Sequence, residues 1–122
     1  MRHKKFGRHL NITRSHYKSM FLNMCNSLIE NKIIKTTLDK AKELRHIIEP
    51  IINRSKINNL HNRRIILNKL KNKKNVFLLF NKIAPLYINR LGGYTRIIKI
   101  NNRKGDNSKM SFIELVDKNL LI

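Results

Sequence analysis

The sequence predicts an α+β domain of about four helices and three strands, preceded by a basic extended N-terminal arm. Three observations carry this. The chain has 122 residues, 41% of them hydrophobic, which is the size and composition of one domain with a real core. Its apolar residues recur at helical spacing over most of the length and then give way to β-branched runs near the C-terminus. Its net charge of +20 is laid down in blocks: the first 29 residues hold no carboxylate, and between Glu49 and Asp106 there are fourteen Lys and Arg and again no acid. Self-repulsion of one sign opposes compaction, so this distribution requires a polyanionic partner, RNA or DNA.

Residues 1–14 are basic with little apolar periodicity and read as an arm that orders against a polyanion. From Ser15, which can serve as an N-cap, Tyr17, Met20, Phe21, Met24, Cys25, Leu28 and Ile29 fall at i, i+3, i+4, i+7, i+8, i+11 and i+12, the stripe of an amphipathic helix. Ile33 to Leu38 is rich in Ile and Thr and predicts a short strand. Thr37 can then cap a second helix whose buried stripe is Ala41, Leu44, Ile47, Ile48, Ile51 and Ile52. Pro50 lies inside that pattern and predicts a kink, because the apolar period continues beyond it.

A third helix is expected around Leu60 to Leu70, with Ile66, Leu67 and Leu70 inward and Arg63, Arg64, Lys69 and Lys71 outward. Asn75 can cap a fourth. Its run Val76 to Phe80 is apolar nearly all round, which predicts complete burial, and Pro85 should end it. Gly92-Gly93 marks a turn. Tyr94 to Ile100 and Met110 to Val116 then read as an antiparallel hairpin with a long basic loop, in which Ile97, Ile98 and Ile113 bury the sheet against the helices. Residues 15–117 thus form one domain, and 118–122 a short C-terminal tail.

Enzymatic chemistry finds no support in these residues. The seven carboxylates show no paired spacing for metal-assisted hydrolysis, and there is no Gly-rich phosphate loop. Glu43 reads as a helical neighbour of Ile47 and Lys40, and Asp106 as a turn residue beside Gly105. The five His include no i, i+4 pair and Cys25 is the only thiol, so no metal or other cofactor is expected and the cysteine is assigned to packing. No run is long and apolar enough for a membrane span. The basic, acid-free start has the composition of a mitochondrial transit peptide as well as that of an RNA-binding arm. The abundance of Ile, Asn and Lys suggests an A+T-rich genome.

The order and spacing of short strings are more specific. Met1-Arg2-His3, Gly7-Arg8, Ser15-His16, Ile33-Ile34-Lys35-Thr36-Thr37-Leu38, Ala41-Lys42-Glu43-Leu44-Arg45, Glu49-Pro50, Asn62-Arg63-Arg64, Gly92-Gly93-Tyr94-Thr95-Arg96-Ile97, Gly105-Asp106-Asn107 and Ile113-Glu114-Leu115-Val116-Asp117 together resemble the bacterial family of large-subunit ribosomal protein seventeen. The resemblance runs from Met1 to about Asp117, which leaves no segment in front for a transit peptide. It departs from the family pattern at Tyr17, Leu22 and Asp39.

The resemblance implies helices packed on a small three-stranded mixed sheet and no catalysis. It implies a structural constituent of the large subunit in the bacterial cytoplasm, bound to large-subunit ribosomal RNA near the nascent-chain tunnel exit beside neighbouring ribosomal proteins. A membrane or a small-molecule substrate is not expected. The residues expected at RNA are Arg2, His3, Lys4, Lys5, Arg8, His9, Arg14, Ser15, His16 and Lys18 in and just after the arm, and Arg63 and Arg64 on the third helix. Arg90, Tyr94, Arg96, Lys99, Arg103, Lys104 and Lys109 complete the set around the hairpin. The competing classes are a free-standing architectural nucleic-acid binder or chaperone and, less supported, an RNA-processing enzyme.

Overall fold

Helix α1 (Arg14–Asn31) starts two residues before the position expected. Thr13, not Ser15, is the N-cap: its backbone is extended and its hydroxyl accepts from the His16 amide at 3.2 Å. A computed structural model describes residues 10–116, so the expected contacts of the arm up to His9 and the short tail lie outside the described residues. Within the described part of the arm, Leu10 packs against the core. At the other end of α1, Lys32 takes a left-handed φ of 69° and its amide closes on Leu28 O at 2.8 Å.

Strand β1 (Ile33–Thr37) follows directly, and Thr37 caps α2 (Leu38–Ser55) as the sequence suggests. Pro50 does not interrupt α2. Proline removes the donor for the His46 carbonyl, and both residues are exposed, so water can take its place. Helix α3 (Leu60–Leu70) is capped by Asn59. Helix α4 (Lys73–Leu78) continues through a π-helical turn (Leu79–Ile83) into a 3₁₀ turn (Ala84–Tyr87), so Pro85 sits inside the last turn instead of ending the helix before it.

Two expectations about α4 fail for one reason. The helix is capped by Asn72, not Asn75. Asn75 is fully buried, and its amide donates to Asn26 Oδ1 at 2.8 Å and Glu30 Oε1 at 3.1 Å, while Asn26 donates to Leu70 O at 3.0 Å. A polar side chain therefore takes an inward position, and Phe77 of the apolar run is turned out, 63% exposed. Composition could not reveal this, because a run that is apolar all round leaves its own rotation undetermined.

Strands β2 (Thr95–Ile100) and β3 (Met110–Leu115) form the hairpin, and the sheet order is β1-β3-β2. Both pairs are antiparallel, so the sheet is not mixed. The register places Ile34, Ile113 and Ile97 in one row across the three strands, on the face that meets the helices. Ile98 pairs with Phe112 in the next row and points to the opposite face, 41% exposed, so its expected burial is wrong. A two-residue period allows only one of two adjacent isoleucines to face the core.

The core lies between this sheet and the helices, with Leu28, Leu44, Ile48, Ile52, Ile66, Leu79 and Ile113 wholly buried. Cys25 belongs to it, and burial pushes its thiol up to about 12. The nucleophile is the thiolate. Cys25 should thus resist iodoacetamide at pH 8 in the native protein and react fully in guanidinium, as mass spectrometry of timed samples would show. Rapid native labelling would contradict the packing role.

Candidate nucleic-acid interface

Among the described residues, the side chains expected at RNA fall on three mounts. Arg14, Ser15, His16 and Lys18 are exposed on the first turns of α1, in a chain segment whose first helical turn contains no acid. Tyr17, on the same turn, is turned inward. Its hydroxyl donates to the buried Glu43 carboxylate, and burial first, the Glu43 carboxylate second, push the phenol above its ordinary range. The buried position of Glu43, read from the sequence as a helical neighbour of Ile47 and Lys40, is explained by this donor.

Arg63 and Arg64 form the second mount, both exposed on α3. Arg63 Nε donates to Asn58 Oδ1 at 2.6 Å, which orients its guanidinium from the preceding turn. Nearby in the chain, Arg54 reaches Asn62 Oδ1 at 3.3 Å.

The third mount is the hairpin with the loop that precedes it. Gly93, at φ +64°, supplies the left-handed residue that this turn needs. Arg90 is exposed beside it and donates to Gly93 O at 3.3 Å. Tyr94 is 2% exposed, with its hydroxyl 3.1 Å from both Asn53 Oδ1 and Arg90 O and its ring 5.3 Å from that of Tyr87. The ring is thus packed inside the fold, a structural role that the sequence reading of Tyr94 as an RNA contact did not include. Lys56 lies 4.7 Å over that ring and donates to Arg90 O, which joins the α2–α3 connection to the loop.

Arg96, Lys99, Arg103, Lys104 and Lys109 are all exposed on the hairpin. Two of them are held by acids. Arg96 lies 3.5 Å from the buried Glu114 across the β2–β3 pair. Arg103 grips Asp106 with both sides of its fork, at 3.0 and 2.7 Å, and this hydrogen bonding, ahead of that from Ser108, holds the Asp106 carboxyl well below the usual carboxylate range. The pair closes the loop, with Arg103 N bonded to Ser108 O at 2.8 Å and Asn107 N to Arg103 O at 2.9 Å. Part of the Arg103 fork is thus committed to loop shape, a role the sequence reading missed by treating Asp106 as a turn residue alone. Lys35 lies outside the expected set. It is exposed on β1 one residue from the inward Ile34, so the strand alternation already carried the signal.

Among the described residues, no group of three or more His, Cys, Asp or Glu could hold a metal ion, and no helix is long and apolar enough to cross a membrane. Residues 20–116 match the family model of ribosomal protein L17. The chain belongs to the ribosomal protein L17 family. That family is structural and non-enzymatic, and its members are constituents of the large ribosomal subunit. The match begins within α1 and runs through the last strand, so the α3 and hairpin mounts lie inside the L17 region and the first turn of α1 lies just before it.

Proposed function

We propose that this L17-family chain binds large-subunit ribosomal RNA through the three cationic mounts and so holds neighbouring RNA segments together near the nascent-chain tunnel exit, beside other ribosomal proteins in the bacterial cytoplasm. The observation that carries the reading is the segregation of charge to the surface: fourteen cations and no carboxylate lie between Glu49 and Asp106, and all of those cations but the half-buried Lys56 are exposed, while Ile66, Leu70, Leu79, Phe80 and Ile83 of the same segment belong to the core. Close-packed RNA helices repel one another, and Lys and Arg held between them lower that repulsion. The tunnel-exit location rests on the family resemblance.

Co-sedimentation with large subunits at moderate salt tests the reading against a free-standing nucleic-acid binder. The tagged chain should travel with the large subunit, whereas recovery only at the top of the gradient would favour the free-standing class. On purified large-subunit ribosomal RNA, Arg63→Ala with Arg64→Ala should lower the slope of log affinity against log salt by about 2, one for each phosphate contact removed. Its thermal melt should stay close to the parent's, since both residues are exposed. An unchanged slope would remove α3 from the interface.

A further inference from the structure

The sheet face turned away from the helices carries a recess of about 440 Å³ between the strands and the β2–β3 loop. Phe112, half-buried on the central strand, lies between Lys35 of β1 and Ile98 of β2 in the register and supplies an aromatic wall. Asn101 and Asn102 line the loop side, and Lys35, Arg103 and Lys104 bring positive charge to it, with no carboxylate in the lining. The loop is shaped in advance by the Arg103–Asp106 clamp and by Asn102 donating to Asn107 Oδ1 at 3.1 Å, so little ordering is required on binding.

We propose that this recess takes one unstacked RNA base, with Phe112 as its stacking surface. The inference rests on the RNA-binding reading and adds to it a site for single-stranded RNA. An aromatic ring offers a π-face to any base, carboxamides can donate to and accept from a base edge, and cations at the rim meet the flanking phosphates. A peptide adding itself as a strand would engage the edges β1 or β2, whereas this recess opens on the face of the central strand.

Two probes separate the base pocket from general charge binding: a uridine octamer containing 5-bromouridine, and a twelve-base-pair RNA duplex without unpaired bases. Phe112→Leu keeps an apolar side chain and every cation but removes the π-face. It should bind the octamer about tenfold more weakly and the duplex like the parent, and Phe112→Tyr should restore octamer binding. Photocrosslinks from the bromouridine should map to the peptide containing Phe112. If Phe112→Leu melts early, Asn101→Ala on the exposed loop, which leaves the Asn102 and Asn107 bond in place, reads the same pocket, with a loss of several-fold on the octamer alone. Equal octamer binding by parent and variants, a parent that ignores the octamer, or crosslinks confined to other mounts would overturn the pocket. So would crosslinks in assembled subunits that place another protein on Phe112. These octamer results stand apart from co-sedimentation: a chain that travels with the subunit but fails the octamer test keeps its ribosomal role and loses the pocket.

Discussion

Ile113→Ala is expected to cost about 2–5 kcal/mol of folding stability, the range for truncating a large buried aliphatic side chain. Ile113 is wholly buried at the middle of the central strand, paired with Ile34 on one side and Ile97 on the other. Removing it opens a cavity where the sheet meets the helices, and both flanking strands lose their central contact. A domain of this size has only about 5–15 kcal/mol in total, so the variant should be near the limit of folding at growth temperature. Ile98→Ala on the outer face should cost less than about 1 kcal/mol, because the side chain is already 41% exposed. Urea denaturation of the two variants with the parent makes the comparison. Equal losses would mean that the register, or the assignment of the sheet's inner face, is wrong.

The second large effect is on RNA affinity. With three mounts engaged, the chain should make at least six phosphate contacts, and its affinity for large-subunit ribosomal RNA should fall about 10³-fold or more between 50 and 200 mM salt. Released counterions drive such binding, so the loss comes from dilution of that entropic gain by added salt and needs no change in the protein. Filter binding or anisotropy across that salt range measures it, with circular dichroism to establish that the fold is unaltered. An affinity that varies less than tenfold over the range would argue for a small apolar or base-specific contact in place of the distributed backbone contact proposed here.

Much of the fold was legible because local rules and tertiary needs agree. The stripes of α1 and α2, the Thr37 cap, the passage through Pro50 and the two antiparallel hairpin strands all follow from apolar periodicity, β-propensity and capping chemistry. Charge blocks likewise carried the expectation of a polyanionic partner, since like-charge repulsion depends on composition and spacing more than on the details of packing. The order of short strings also identified the family, which the match over residues 20–116 then established.

Other features depended on partners distant in sequence. Asn75 is inside because Asn26 and Glu30, 49 and 45 residues away, accept from it. Glu43 is inside because Tyr17 donates to it from α1, and Tyr94 is buried with its hydroxyl met by Asn53 and Arg90. Adjacent isoleucines at 97 and 98 have the same chemistry, and only pairing with β3 decides which one faces the helices. The recess at Phe112 arises only when β1, β3 and the hairpin loop are brought together. The sequence by itself determined the elements, the charge and the family. The tertiary structure decided which polar groups could be buried and which face of each strand became a surface, because both depend on hydrogen-bond and packing partners supplied by remote parts of the chain.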